Sequence, residues 1–172
     1  LIGLKRTEEE LSLWLKNWKI EAVKCVLLVG PPGSGKTAVV KKVAGDLGLY
    51  VAEVYPGDTR EEVEKAVMRG IVRKVVLAEG VDGLRPTEAK LLLDSAVAGK
   101  VPVVFTANKL ADVIDTIRNV CKVIYVPEPR LADVVRVAKE AGLKEGFDRL
   151  VRDFRQAKLA VHGSMGYSTE RE

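Results

Sequence analysis

The sequence predicts an α/β fold in which a five-stranded parallel sheet with helices on both faces precedes a small all-α domain. Short runs that are apolar throughout recur in residues 1–127, and segments of helical periodicity separate them. Strands that are apolar on both faces are typical of a parallel sheet covered by helices on each side. Strand patterns stop at residues 127–129, after which only helical periodicity remains. We therefore predict a sheet domain over residues 1–127, a helical domain over 128–163 and a polar tail over 164–172.

Strands and helices alternate along the sheet domain, and two residues mark predicted helix starts. Thr7, with Glu10 three positions later, has the pattern of a capping box. Pro86 suits the first turn of a helix. The predicted strands are residues 26–29, 50–54, 74–78, 101–106 and 123–126. The predicted helices are residues 7–18, a helix that ends near residue 47, and residues 59–69, 86–98 and 111–117.

The composition is that of a folded, globular protein. Hydrophobic residues make up 47% of the 172 residues and charged residues 30%. No apolar run approaches the roughly 20 residues of a membrane-spanning helix, and residues 1–6 lack the apolar segment of a signal peptide. We therefore expect a cytoplasmic protein without membrane contact. A single glutamine and three asparagines beside many ionic residues are typical of a thermophile.

Charge and cysteine content restrict the remaining classes of function. The net charge of +4 permits contact with nucleic acid, but aromatic residues make up only 5% of the chain, which disfavours a base-stacking surface. Cys25 and Cys121 flank apolar runs and form no metal-like cluster with His162, so we expect reduced, half-buried thiols that pack. For most of the basic residues, a solvent-exposed helix face is a simpler interpretation than contact with DNA. Candidates for contact with a DNA backbone are Arg69, Arg73, Lys74 and Arg85.

A glycine-rich segment follows the first predicted strand and opens a helix, the context in which a phosphate-binding loop functions. Its glycines let successive backbone N–H groups point at phosphate oxygens, and the helix N-terminus adds the positive end of its dipole. Lys36 is placed to reach the β- and γ-phosphates, and the Thr37 hydroxyl to ligate Mg²⁺. The sequence thus predicts binding of ATP, or ADP, with Mg²⁺. The predicted binding residues of this loop are Gly30, Pro31, Pro32, Gly33, Ser34, Gly35, Lys36, Thr37 and Ala38.

With this loop in place, the chain resembles the clamp-loader ATPases of the AAA+ class, most of all archaeal replication factor C large subunits. The resemblance runs from Ile2 to about Ala160. It implies a P-loop sheet domain followed by a helical lid. Its partners would be other clamp-loader-type subunits, with a sliding clamp and primed DNA beyond them. The segments that carry it are residues 2–3, 8–18, 53–58, 106–108 and 153–155.

The resemblance also implies roles for residues outside the loop. Ile2 and Gly3 would lie near the adenine, and Glu79 would organise Mg²⁺ together with Thr37. Asn108 resembles the polar sensor at the end of the fourth strand. Arg155 resembles the lid arginine that meets the γ-phosphate. The residues that the resemblance implies for catalysis are therefore Lys36, Glu79, Asn108 and Arg155.

Two departures from the family pattern affect hydrolysis. Where the family has Asp-Glu at the end of the third strand, this chain has Glu79-Gly80. Gly80 cannot orient water through a side chain, and loss of such a group lowers rates about 10²–10⁴-fold. Val120 stands where small clamp-loader subunits carry an arginine that reaches a neighbour's ATP. We therefore predict ATP binding with weak or no hydrolysis by the chain alone, and no arginine donated to a partner.

Two other classes of function remain open. One is a stand-alone regulatory or structural protein that binds a nucleotide and never hydrolyses it, which Gly80 favours. The other is a small P-loop kinase, which shares this type of loop. Such kinases need an arginine-rich lid over the substrate, and the helical region after residue 127 has no such cluster.

Overall fold

The structure is a computed structural model that describes residues 4–128, together with Ala132, Val135, Arg136 and Lys139. The chain divides into two compact units, the first ending at Pro127 and the second beginning at Glu128. The first unit is described below. Some of the sequence predictions lie outside the described residues. They concern Ile2, Gly3, Arg155, the helical domain beyond the few positions named above, and the polar tail.

The first unit contains five strands and five α-helices in the predicted alternation. Two short 3₁₀ turns, Val81–Gly83 and Leu110–Asp112, follow β3 and β4. No helix in the described residues is long and apolar enough to cross a bilayer. The strands are β1 (Cys25–Val29), β2 (Tyr50–Val54), β3 (Lys74–Ala78), β4 (Val103–Ala107) and β5 (Lys122–Tyr125). The helices are α1 (Lys5–Lys16), α2 (Lys36–Asp46), α3 (Arg60–Val67), α4 (Pro86–Val97) and α5 (Asp115–Val120).

The five strands form one parallel sheet in the order β2-β3-β4-β1-β5. The consecutive residues Cys25, Val26 and Leu27 alternate between two buried clusters, so the clusters lie on opposite faces of the sheet. One face is covered by residues of α3, α4 and α5, the other by residues of α1 and α2. The predicted parallel sheet with helices on both faces is confirmed.

Two predicted helix starts are wrong, for reasons of packing. The first helix begins at Lys5 and is capped by Leu4 without a side-chain hydrogen bond. Thr7 is buried within that helix, so its hydroxyl is not the cap that the Thr7-Glu10 pattern indicated. The predicted helix at 111–117 is divided: Leu110–Asp112 forms a 3₁₀ turn, Val113 and Ile114 are extended with Val113 buried in the core, and the α-helix occupies Asp115–Val120.

Candidate nucleotide-binding site

The glycine-rich loop joins β1 to α2 and ends in a backbone conformation that favours glycine. Gly35 precedes α2 with φ of 96° and ψ of 17°, in the left-handed region. A Cβ added to Gly35 would lie 2.8 Å from Cδ1 of the buried Leu4. Backbone geometry and packing therefore both require glycine at this position, where the loop turns into the helix.

Lys36, the first residue of α2, folds its side chain back over the loop. Its Nζ donates hydrogen bonds to the carbonyl oxygens of Gly30 at 2.5 Å and Pro31 at 2.9 Å. Burial lowers the pKa of Lys36 to about 8, and the charge of Glu79 acts against that shift. An ammonium group that is half-buried and held by neutral carbonyl groups gains from an incoming anion, which would favour its charged form.

Thr37 connects the loop to the end of β3. Its Oγ1 donates a hydrogen bond to Oε1 of Glu79, the residue that follows β3. The backbone N–H of Glu79 in turn donates to the carbonyl oxygen of Val54 at 2.9 Å, which ties it to the end of β2. The hydroxyl and the carboxylate lie next to each other, and both are hard oxygen ligands of the kind that Mg²⁺ prefers.

Asn108 brings the end of β4 to the same place. Lys36 Nζ lies 3.3 Å from Asn108 Oδ1, although the two residues are far apart in the chain. They meet because β4 pairs with β1 in parallel, with Ala107 opposite Val29, so both strands end at one edge. The structure therefore brings together four of the predicted residues: Lys36, Thr37, Glu79 and Asn108.

Ser34 supplies an independent sign that the loop fits a phosphate. Its side chain is 3% exposed, and its Oγ has no hydrogen-bond partner among the described residues. Buried hydroxyl groups are normally paired, because an unsatisfied one costs about 1–3 kcal/mol. A phosphate oxygen in the loop would give this hydroxyl a partner, so the donor set present suits a nucleotide's phosphates with Mg²⁺ beside Thr37.

Gly80, the residue after Glu79, has a backbone conformation that favours glycine. It has φ of 61° and ψ of 55°, a left-handed conformation that begins the turn Val81–Gly83. Its N–H donates to Oγ1 of the buried Thr106 at 3.1 Å. A Cβ on Gly80 would lie 3.3 Å from Cγ of Pro56. A carboxylate side chain is therefore absent here, and the local fold also disfavours one.

Thr106, Pro56 and Leu4 take part in shaping this site, and sequence reasoning assigned none of them that part. Thr106 was noted only as a neighbour of Asn108, yet it accepts the hydrogen bond that holds Gly80. Pro56 sits over Gly80 in a turn where the Tyr55 N–H donates to Asp58 Oδ2 at 2.9 Å. These contacts cross between strands, so no pattern local to one segment could have indicated them.

Other predicted residues lie at the margin of this cluster or away from it. Ala38 is exposed on the first turn of α2. Val120, at the position compared with a donated arginine, ends α5, while Arg118 pairs with Asp115. Arg85, a candidate for DNA contact, is in an ion pair with Glu88 at 3.0 Å.

Comparison with known proteins agrees with the fold and the loop. The sequence model of the family described as ATPase family associated with various cellular activities (AAA) matches residues 26–128. A solved structure concerned with katanin self-assembly superposes with a TM-score of 0.67 over 99% of this chain and 72% of that chain. Its sequence identity is 17%, so this likeness concerns the fold.

Among curated proteins, replication factor C large subunits of archaea are similar over most of the chain. The protein of Methanococcus aeolicus is 29% identical over 166 residues, which cover 86% of this chain and 34% of the relative. The protein of Pyrobaculum calidifontis is 31% identical over 159 residues, covering 83% and 38%. This chain thus spans about a third of the length of these relatives. Because the family match extends from the first strand to the end of the sheet domain, the chain belongs to the AAA family of ATPases.

Proposed function

We propose that this chain binds ATP with Mg²⁺ and serves as an ATP-controlled part of a DNA clamp-loading or related replication and repair assembly. The observation that carries the proposal is the meeting of Lys36, Thr37, Glu79 and Asn108 at the ends of β1, β3 and β4. Ligands of parallel α/β sheets bind outside the carboxyl ends of the strands, which is where these side chains converge.

Each residue of this cluster has a role that its chemistry supports. The Lys36 ammonium group would exchange the carbonyls of Gly30 and Pro31 for phosphate oxygens. Thr37 and Glu79 would hold Mg²⁺ from the protein side, in place of their hydrogen bond to each other. Bound Mg²⁺ neutralises charge on the phosphates. Asn108 lies beside Lys36 and would sense the terminal phosphate through its side-chain amide.

Hydrolysis by the chain alone is weak or absent in this proposal. Gly80 follows Glu79 at the position where the family has a glutamate that orients water, and its left-handed backbone turns the chain toward Asp82. Glu79 itself is engaged with Thr37, which suits metal organisation better than activation of water. ATP then acts as a ligand whose binding favours one arrangement of the chain and its partners.

The partner class follows from the relatives. The proteins named replication factor C large subunits are subunits by name, and similarity over 83–86% of this chain supports a comparable place in an assembly. Arg118 is paired with Asp115, which supports a chain that donates no arginine to a neighbouring site. A neighbour could still supply one here, and a trans arginine changes phosphoryl transfer by roughly 10³–10⁵-fold.

A second candidate is a regulatory protein that binds ATP and functions without turnover even inside an assembly. The left-handed Gly80, held by Thr106 and covered by Pro56, favours it, because this turn is built into the fold. The two candidates differ in a single measurement, namely whether partner subunits raise the rate at which this chain's ATP is hydrolysed.

The test is ATP binding and turnover by the purified chain with Mg²⁺, alone and with clamp-loader small subunits from an archaeon. We expect binding that the Lys36→Ala variant weakens about 100-fold, and turnover at background rate for the isolated chain. Stimulation by the small subunits that Lys36→Ala removes supports the clamp-loader role, and no stimulation supports the regulatory role. Brisk turnover by the isolated chain would contradict the interpretation of Gly80, and absence of binding would contradict both candidates.

A further inference from the structure

A cavity of about 640 Å³ lies at the opposite edge of the sheet, where the strands begin. It is lined by the segments that precede β1, β3 and β4, within residues 15–24, 69–74 and 99–102. Five-residue strands are about 16 Å long, and the cavity and the nucleotide site lie at opposite ends of these strands. Nothing in the proposed ATP function uses it.

The charged residues that line this cavity are all basic. Among the residues that the structure describes, seven lysines and arginines line it and no aspartate or glutamate does. Within the part of the chain that the structure describes, none of the seven forms an ion pair, whereas seven other cations do. Unpaired cations are thus concentrated at one place, where their mutual repulsion would be relieved by an anionic partner. The seven are Lys16, Lys19, Lys24, Arg69, Arg73, Lys74 and Lys100.

Three of the seven donate hydrogen bonds to backbone carbonyl oxygens, and Lys74 does so to Lys65 at 3.3 Å. Arg69 donates hydrogen bonds to the carbonyl oxygens of Gly99 and Lys100, which joins the α3–β3 segment to the α4–β4 segment. Lys24 donates to the carbonyl oxygens of Trp18 and Lys19. The exposed side chains of Lys16, Lys19, Arg73 and Lys100 have no such partners among the described residues, which leaves these four charges available to a ligand.

Aliphatic side chains share this surface with the cations. Ile20 and Val72 line the cavity and are 85% and 65% exposed, and the neighbouring Ile71 is fully exposed. The one aromatic residue of the lining, Trp18, is only 9% exposed, and the ammonium group of Lys24 lies over its ring. A single-stranded nucleic acid would find phosphate partners here but no exposed ring on which its bases could stack, and a phosphate backbone of either kind would leave the aliphatic side chains without an apolar partner.

We propose that this cavity docks an acidic segment of a partner protein, one that carries aliphatic side chains between its carboxylates. Charge complementarity selects the acidic groups, and Ile20 and Val72 would be buried by the aliphatic ones. The remainder of this chain does not have that chemistry, since residues 128–172 contain nine basic and eight acidic residues. Residues 128–172 therefore do not supply the occupant, which in this proposal is a partner protein, and docking does not depend on the proposed ATP site.

The test uses a fluorescent peptide in which Glu and Leu alternate, a matched peptide with Ser in place of Leu, and a fluorescent DNA duplex. Binding to the full chain is measured by anisotropy at physiological salt. Two double variants alter the cavity: Lys16→Gln with Arg73→Gln, and Ile20→Ser with Val72→Ser. The matched control, Arg60→Gln with Lys90→Gln, removes the same charge from exposed cations elsewhere.

We expect the Glu/Leu peptide to bind, and each cavity variant to weaken it about tenfold while the control changes it less than about twofold. Nucleotide binding should persist in all variants, which shows that they fold. Equal binding of the Ser peptide would overturn the aliphatic part of the proposal. DNA that binds more tightly and is lost in the same variants would identify a nucleic-acid site instead. No binding of any probe would overturn the docking site.

The cysteine pair supports a second, independent inference. Cys25 begins β1 and Cys121 lies one residue before β5, on adjacent parallel strands in which Val26 pairs with Lys122. Their sulfur atoms are 3.1 Å apart, and both thiols are free. Both pack against one buried cluster, as the sequence predicted, but Cys25 is fully buried rather than half-buried, and Cys121 is half-buried. Little movement separates this contact from a covalent bond.

The geometry points to a disulfide between Cys25 and Cys121, formed by exchange with a small-molecule disulfide such as oxidised glutathione. Cys121, the partly exposed thiol of the pair, would give up its proton and attack the small disulfide, and the first small thiol would leave with a proton. Cys25 would then attack the Cys121 sulfur, and its proton would pass to the departing sulfur, which leaves as the second small thiol. Two protein thiols are oxidised to one disulfide, and one small disulfide is reduced to two thiols.

Mass spectrometry of the native chain after incubation with oxidised glutathione tests this step. We expect a mass lower by two hydrogen atoms, a Cys25–Cys121 cross-linked peptide, and a Tm raised by at least about 5 °C. The Cys121→Ser variant should keep a free Cys25, because that thiol is buried. A lasting glutathione adduct on Cys121, or no reaction in the folded chain, would overturn the inference.

Discussion

The phosphate loop and the end of β3 form two sides of one site, and they differ in completeness. The loop has its glycine at the left-handed position, its lysine over the phosphate region and a hydroxyl ready for metal. The end of β3 offers one carboxylate, Glu79, and then turns away at Gly80. In the function that we propose, the loop side holds the nucleotide, and no side chain at Gly80 orients water. Binding without hydrolysis would then follow from one turn of the backbone.

The turn at Gly80 is held by contacts with other strands, in addition to lacking a side chain. The Gly80 N–H bonds to Thr106 on β4, and Pro56, after β2, lies over its Cα. Three strands therefore cooperate to keep the turn. On the loop side, Leu4 packs against Gly35 in a similar way and keeps the conformation that faces phosphate. The loop and the Gly80 turn are thus each held by residues from other segments of the chain. Single substitutions can therefore test each side of the site separately.

Lys36→Ala should have the largest effect, because it removes the only side-chain cation of the loop. Hydrogen bonds to charged groups contribute about 1.5–3 kcal/mol, so we expect a loss of about 100-fold in nucleotide affinity. Isothermal titration with ADP or ATP and Mg²⁺ measures it. Lys41→Ala is a matched control on the same helix, where the ammonium group is paired with Glu53 at 2.7 Å. A similar loss in both variants would contradict the assignment of the loop.

Gly80→Ala and Gly80→Glu should both destabilise the domain by about 2 kcal/mol, since a left-handed non-glycine residue costs about 1–2 kcal/mol and the Cβ also meets Pro56. Urea denaturation measures this loss. We expect Gly80→Glu to hydrolyse ATP no faster than Gly80→Ala, because the turn directs a side chain away from the extended path of β3. If Gly80→Glu were as stable as the parent and faster than Gly80→Ala, the backbone would not be what limits hydrolysis.

Nucleotide affinity should also fall as pH rises above about 8. Phosphates bind the protonated form of Lys36, whose pKa burial lowers to about 8. Below that pH the ammonium form is already present and affinity is level with respect to this group. Above it, binding must take up a proton, so affinity declines by up to about tenfold per pH unit. Titrations between pH 7 and 9.5 test this, with circular dichroism to verify the fold.

The Lys36→Arg variant is the control for this pH dependence, because its guanidinium stays charged throughout the range. Its affinity differs from that of the parent, but its slope with pH should be flat. An equal decline in both proteins would place the titrating group elsewhere.

Apolar runs bounded by turn residues were enough to predict β2 and β3 to the residue, because their ends are set locally. The glycine-rich loop between β1 and α2 was predicted in the same way, because its glycine spacing and the helix that follows are both local features of the sequence. The position of α5 was not, because the spacing of Leu110, Val113 and Ile117 suits one continuous helix, whereas the backbone is extended at Val113 and Ile114 and divides a 3₁₀ turn from α5.

The site shows the same limit. Sequence reveals that Gly80 lacks a carboxylate, but its left-handed backbone depends on contacts with β4 and the turn after β2. Those contacts follow from strand order and register, which a single sequence does not specify. The roles of Ile2, Gly3 and Arg155 stay predictions, as does the helical domain that would carry Arg155.

Thr106→Val is the smallest change that bears on the comparison, and it tests what holds the Gly80 turn. Valine keeps the shape of threonine but leaves the Gly80 N–H without its acceptor, which should cost about 1 kcal/mol. Amide hydrogen exchange should show faster exchange at Gly80, while the phosphate loop and nucleotide affinity remain close to those of the parent. Thr106→Ser, which retains the hydroxyl, should restore protection at Gly80. If the valine variant instead weakened nucleotide binding as much as it exposed Gly80, the two halves of the site would be coupled through β4.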